Sequence, residues 1–142
     1  MTKPRVFVTG SGVVSSLGTS PGRLFSALCG GLSGLTRIES FDTGGLQGVL
    51  AGQIPAFSGG DYLSGRNLNA LDRISQLATA AVQFALEDAG WTEDMRQSHE
   101  VGMVLGTMFA GIRTILEFDK RALTVGPEYV RPLEFANTVL NA

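Results

Sequence analysis

The sequence predicts an α/β domain, and three observations carry that prediction. Two short apolar runs bounded by glycine, RVFVTG at 5–10 and VGMVLG at 101–106, have the composition of buried strands. Elsewhere apolar residues recur at helical spacing, most clearly over about 70–89. No internal repeat, charge block or low-complexity tract divides the 142 residues, and no internal domain boundary is visible.

In chain order, the first predicted strand (5–10) ends at the turn Gly10-Ser11-Gly12. Ser20-Pro21 starts a helix, because serine accepts from free backbone N–H groups and proline at the first helical position has none to waste. Leu24, Phe25 and Leu28 give that helix one apolar face, and Gly30-Gly31 ends it. Residues 31–66 are loop-rich, with a short strand expected within GVLAGQI at 48–54. Leu71, Ile74, Leu77, Ala78, Ala81, Ala85 and Leu86 mark the long helix over 70–89, with Asp72 and Arg73 in its first turn and Gly90 as its stop. Glu93 and Asp94 read as first-turn acids of a short helix. After the second predicted strand (101–106), Thr107 to Gly111 form a loop into a helix carrying Ile112, Ile115, Leu116 and Leu123. Gly126-Pro127 breaks it, and a last helix is expected over 133–142. The chain stops inside that apolar periodic segment, with neither a capping glycine nor a polar tail, so a continuation is expected beyond Ala142.

Composition narrows the function. With 44% hydrophobic residues, 17% charged residues and a formal net charge of −2, the chain is neither disordered nor a binder of nucleic acid, which requires clustered positive charge. A chain this long folding as one domain buries roughly 70% of the surface it exposes unfolded. One cysteine excludes an internal disulfide framework and fits a reducing compartment, and one histidine with one cysteine makes no zinc cage. Val6-Phe7-Val8 is too short for a signal peptide, and nothing approaches a membrane span, so a cytoplasmic protein is expected.

Few residues offer chemistry. Gly10-x-Gly12 after a strand resembles a dinucleotide fingerprint, but Ser15 replaces the third glycine and the helix starts too late to hold a pyrophosphate. A structural turn is therefore expected there. Cys29 falls at the negative end of a helix, where a thiolate is disfavoured, and is expected to be packing. His99 has no partner at ligand spacing and reads as a turn histidine. Glu87 and Asp88 are adjacent on a helix and point about 100° apart, so they cannot share one substrate. The loop Gly106 to Gly111 follows a predicted strand and opens a helix, the place where α/β folds present ligands, and Met108 and Phe109 give it an apolar surface.

Five stretches, in order and in spacing, resemble the N-terminal part of the β-ketoacyl-acyl-carrier-protein synthases: VFVTGSGVVSSLG at 6–18, GLSGLTRIESFDT at 31–43, LDRISQLATAAVQFALEDAG at 71–90, VGMVLGT at 101–107 and NTVLNA at 137–142. The resemblance covers essentially the whole chain. It implies a thiolase-like fold, with 1–142 as an incomplete first half of the αβαβα layered architecture, cut before the segment that carries the nucleophile. It also implies decarboxylative Claisen condensation of an acyl thioester with a malonyl thioester in fatty-acid or polyketide synthesis, with no cofactor. Such chemistry needs a thiolate nucleophile and donors that stabilise enolate and oxyanion charge. In the family the cysteine and both histidines lie beyond Ala142, so Cys29 and His99 do not stand in their places and this chain alone is expected to be inactive.

What carries over is supporting structure. Phe109, with Met108 beside it, matches a family position on the inner acyl pocket near the dimer axis, where bulk limits chain length. Leu133 to Thr138 matches a segment that reaches towards a second ketosynthase subunit's acyl pocket, so Thr138 is a third expected substrate contact. Glu134 departs from the pattern, since a carboxylate in an apolar tunnel is costly unless paired. Acyl carrier protein is an expected partner, but its docking positions depart too: one offers only Arg66 among Asn67, Asn69 and Ala70, the other Glu128, Tyr129 and Arg131. The alternatives are a non-catalytic, chain-length-factor-like or degenerate structural partner, and a small nucleotide-binding domain. Without flanking strands, a sheet edge and apolar helix faces are expected to be uncovered.

Overall fold

The computed structural model describes residues 3–54, 57–63, 71–109 and 111–138. Its elements are α1 (Pro21–Cys29), β1 (Leu35–Arg37), β2 (Leu50–Gly52), α2 (Arg73–Asp88), α3 (Glu93–Ser98), α4 (Ile112–Thr124) and α5 (Pro132–Phe135), with short 3-10 turns at Gly59–Asp61, Pro127–Tyr129 and Ala136–Thr138.

The helices begin and end for local reasons. Ser20 caps α1 by accepting from the Arg23 N–H at 3.3 Å, with Pro21 next in line. Asp72 lies just outside α2 as its cap, not in its first turn, and accepts from the Ser75 N–H at 2.8 Å. Thr92 caps α3 and leaves Glu93 and Asp94 in the first turn, where the helix dipole favours acids. At the C-terminal end of α2 the Gly90 N–H bonds to Glu87 O and the Trp91 N–H to Leu86 O, a closure that needs the left-handed conformation Gly90 adopts at φ 68°. Removing the Asp72 cap should cost about 1 kcal/mol, so Asp72→Ala is expected to lower the denaturation midpoint by that equivalent without changing the denaturant slope.

Packing gathers around α2. Ala80 is fully buried at 0% exposure. The turn at Gly10–Gly12 lies so close that a methyl on Gly12 would collide with the Ala81 carbonyl oxygen and come within 2.6 Å of the Ala85 nitrogen. A methyl on Gly10 would sit 2.6 Å from the Ala89 nitrogen. The glycines are thus required by helix packing. Asp88 fastens the same turn by accepting from the Ser11 N–H at 2.9 Å. At the other end of α2, the Arg73 guanidinium donates to the carbonyls of Phe57 and Ile54 and lies over the Phe57 ring. Phe57 stacks on Tyr62, which meets Phe84 edge-on at 5.4 Å.

β1 and β2 pair antiparallel with Thr36 opposite Ala51. The strand at 50–52 falls within the expected 48–54, whereas β1 occupies a stretch read as loop. Gln53 extends the pairing by donating to Arg37 O at 2.9 Å and to Thr36 Oγ1 at 3.2 Å.

The two apolar runs behave differently from expectation. Among the described residues, neither 5–10 nor 101–106 pairs as a strand. Val6 is 93% exposed and Val104 is fully exposed. A strand needs a ladder partner and, when apolar on both sides, a layer on each face. Among the described residues no segment supplies a ladder partner to either run. The accessible surface is 11439 Å² for 15.0 kDa, against about 7,000 Å² for a self-contained globule of that mass. The chain therefore buries roughly half of its unfolded surface, not the 70% its length predicts. The last predicted helix is also shorter: α5 gives way to a 3-10 turn at Ala136–Thr138, and 139–142 lie outside the described residues. No helix among the described residues is long and apolar enough to cross a membrane.

Candidate functional site

Three segments meet at the start of α4. Gly111 precedes that helix in the left-handed conformation, φ 73°, and leaves the N-terminal turn without a side-chain cap. A Cβ built on Gly111 would lie 3.1 Å from the Asn137 carbonyl oxygen and 3.8 Å from Asp72 Oδ2. The end of the 106–111 loop is thus brought against the 3-10 turn carrying Thr138 and against the cap of α2. Phe118 and Phe135 hold α4 and α5 together, with ring centroids 6.2 Å apart. Beside them a cavity of about 330 Å³ is lined by residues that include Asp72, Arg113, Phe118, Arg121, Glu134 and Asn137.

The expected substrate contacts sit around this junction but do not close into a pocket of their own. Met108 is 85% exposed and Phe109 68% exposed. Thr138 is half-buried, and its hydroxyl donates to Phe135 O at 2.7 Å. Glu134 has a partner: its carboxylate accepts from Arg121 at 3.1 Å on a partly exposed face. Its partner lies across the Gly126-Pro127 break, so the only sequence signal was the opposite charge.

The remaining candidates lie apart from this junction, at the ends of α1, α2 and α3. Cys29 is exposed, contrary to the packing role expected of it, because the apolar face of α1 has little above it: Phe25 and Leu28 are exposed as well. His99 follows α3, with Nδ1 3.0 Å from Met95 O and its ring edge-on to Trp91. Glu87 accepts from Gln83, and Asp88 is occupied by Ser11. Among the described residues no group of three histidine, cysteine or carboxylate side chains is placed to hold a metal. Arg66 and its neighbours lie outside the described residues.

A match to the family described as "Beta-ketoacyl synthase, N-terminal domain" spans residues 3–136. The chain belongs to the β-ketoacyl synthase family. Among curated relatives of this synthase segment, the 3-oxoacyl-[acyl-carrier-protein] synthase 2 of Vibrio cholerae is 31% identical over 141 residues, 99% of this chain and 34% of the relative. The tetracenomycin polyketide synthase ketoacyl synthase beta subunit of Streptomyces glaucescens is 33% identical over 129 residues, 88% of this chain and 31% of the relative. Among solved structures, the ishigamide ketosynthase/chain length factor matches with a TM-score of 0.71 and 33% identity, over 90% of this chain and 32% of that one. The β-ketoacyl synthase segment described here thus spans about a third of the length of these relatives.

Proposed function

We propose that this chain supplies part of the acyl-pocket wall and of the subunit contacts of a condensing enzyme, whose thiol nucleophile and imidazoles come from the remainder of the fold. The whole assembly would take an acyl group from a carrier-protein thioester and extend it by decarboxylative condensation, within a thiolase-like layered architecture. The supporting observation is the junction at Gly111, where the loop bearing Met108 and Phe109 meets the segment bearing Thr138. Division of labour fits the placement of these groups: Cys29 is exposed at the end of α1, and His99 is bonded to Met95 O beside α3. The apolar surface left open at 5–8 and 101–105 fits burial by further layers or by a second subunit. A cytoplasmic setting fits the carrier-bound substrate.

Photoreactive acyl-carrier thioesters of graded length test this reading. Labelling should fall on 108–109 and 133–138, and Phe109→Ala should shift preference towards longer chains by about 10-fold, the worth of roughly two further methylenes buried in the vacated space. Labelling confined to other segments would remove the pocket-wall role.

A second reading is favoured by the beta-subunit and chain-length-factor matches. In it, the chain belongs to a non-catalytic subunit that shapes a neighbour's pocket. The two differ in covalent chemistry, since a condensing enzyme carries its acyl group as a cysteine thioester. Cys29 is the one cysteine of these 142 residues, so the test uses the assembly with the remainder of the fold and maps the adduct by peptide mass: a stable acyl adduct on a cysteine from that remainder supports catalysis, and its absence from an assembly that still labels at 108–109 supports the partner role.

A further inference from the structure

Glu134 is the one charged residue of the segment 132–138, and the structure gives it a partner. Arg121 Nη1 lies 3.1 Å from Glu134 Oε2, joining α4 to α5 across the break at Gly126-Pro127. The side chains are 43% and 33% exposed, so the pair is only partly wet. It does not stand alone on α4. Arg113 pairs with Glu117 at 2.7 Å, and Arg113, Glu117 and Arg121 follow at i, i+4 spacing along one face that lines the same cavity as Glu134. Phe118, on that face as well, meets Phe135, the residue after Glu134. Thr138 then closes its hydroxyl onto Phe135 O at 2.7 Å. Charge, ring and hydroxyl contacts therefore run in sequence from α4 to Thr138.

We infer that the Arg121–Glu134 pair is a positioning device: it fixes Leu133–Thr138 against α4 and so sets where Thr138 stands in the pocket wall. The inference rests on the pocket-wall role proposed above. Neither residue touches substrate in this account, and both act through the segment they hold. A carboxylate at 134 would then tune acyl-chain selection from outside the pocket, which explains how the charge is accommodated without entering apolar surroundings.

The experiment uses the whole protein and two readouts. Amide hydrogen exchange at 135–138 should accelerate about two- to five-fold in Glu134→Gln and in Arg121→Ala, the range that a partly exposed pair supplies. At about 1 M salt, where screening acts over ~3 Å, the wild type should approach the variants. The exchanged pair Arg121→Glu/Glu134→Arg should restore slow exchange. In parallel, the ratio of long to short acyl thioesters taken up should shift in both single variants and return in the exchanged pair, a recovery that general loosening would not produce. Unchanged exchange in both single variants overturns the anchor. Faster exchange with an unchanged acyl ratio, in a protein that does take acyl thioesters, overturns its part in selection. A wild type that takes no acyl thioester while the exchange pattern holds overturns the pocket-wall role and leaves the anchor standing.

Discussion

Gly12→Val is expected to lower the thermal midpoint by roughly 10 °C, corresponding to about 3 kcal/mol at the upper end of overpacking costs. The valine Cβ would collide with the Ala81 carbonyl oxygen and approach the Ala85 nitrogen to 2.6 Å. Both are backbone atoms of α2, so no rotamer change relieves the clash, and either the turn or the helix must move. Moving the turn also breaks the Ser11–Asp88 hydrogen bond, which would leave a helix-end carboxylate without its partner. Gly22→Ala is the control, because nothing lies within 4 Å of a Cβ at that position. It should leave the midpoint unchanged or raise it slightly, since alanine reduces the entropy of the unfolded chain. Circular dichroism melts of the two variants decide the matter: a Gly12→Val protein melting with the wild type would show that the turn does not depend on its approach to α2.

The second large effect concerns association. The excess of roughly 4,000 Å² of accessible surface over a self-contained globule exceeds one partner's share of a large obligate interface, about 2,500 Å². It includes Val6, Val8, Met103 and Val104, each at least 72% exposed, and Phe25 and Leu28 on the open face of α1. Purified on its own, the 142-residue chain is expected to elute in size-exclusion well above its 15.0 kDa and to bind a hydrophobic dye. Val6→Lys with Val104→Lys should reduce both signals by placing charge on the unpaired edges. A monodisperse monomer that takes up no dye would contradict the view that these runs belong against other layers.

What the residues reveal in advance depends on range. Ser20-Pro21, Asp72, Thr92 and Gly90 settle helix limits through bonds made within a few positions of themselves, so α1, α2 and α3 are legible from the chain. RVFVTG and VGMVLG are equally recognisable as strand-like, yet strandness is a relation between segments, and neither finds its partner among the described residues. β1 went unread because Leu35-Thr36-Arg37 is short and polar-rich, and what stabilises it is Gln53, far along the chain. At the candidate site, the loop and the 133–138 segment were each visible, but not their meeting at Gly111. The Ser11–Asp88 bond spans 77 positions, and no periodicity encodes it. Glu134 posed a question that the sequence could state but not answer, since its partner is chosen by the geometry of the Gly126-Pro127 turn.

Trp91, the one indole of the chain, follows the C-terminal end of α2 with its ring against His99. α2 is 16 residues long, which places its two ends about 24 Å apart. The other end carries Asp72, beside Gly111. Intrinsic emission is therefore a reporter of the α2–α3 joint, at the end of α2 away from Gly111. A fluorophore installed near position 108 would watch the opposite end, and together the two chromophores would tell a ligand's arrival from a general loosening of the chain.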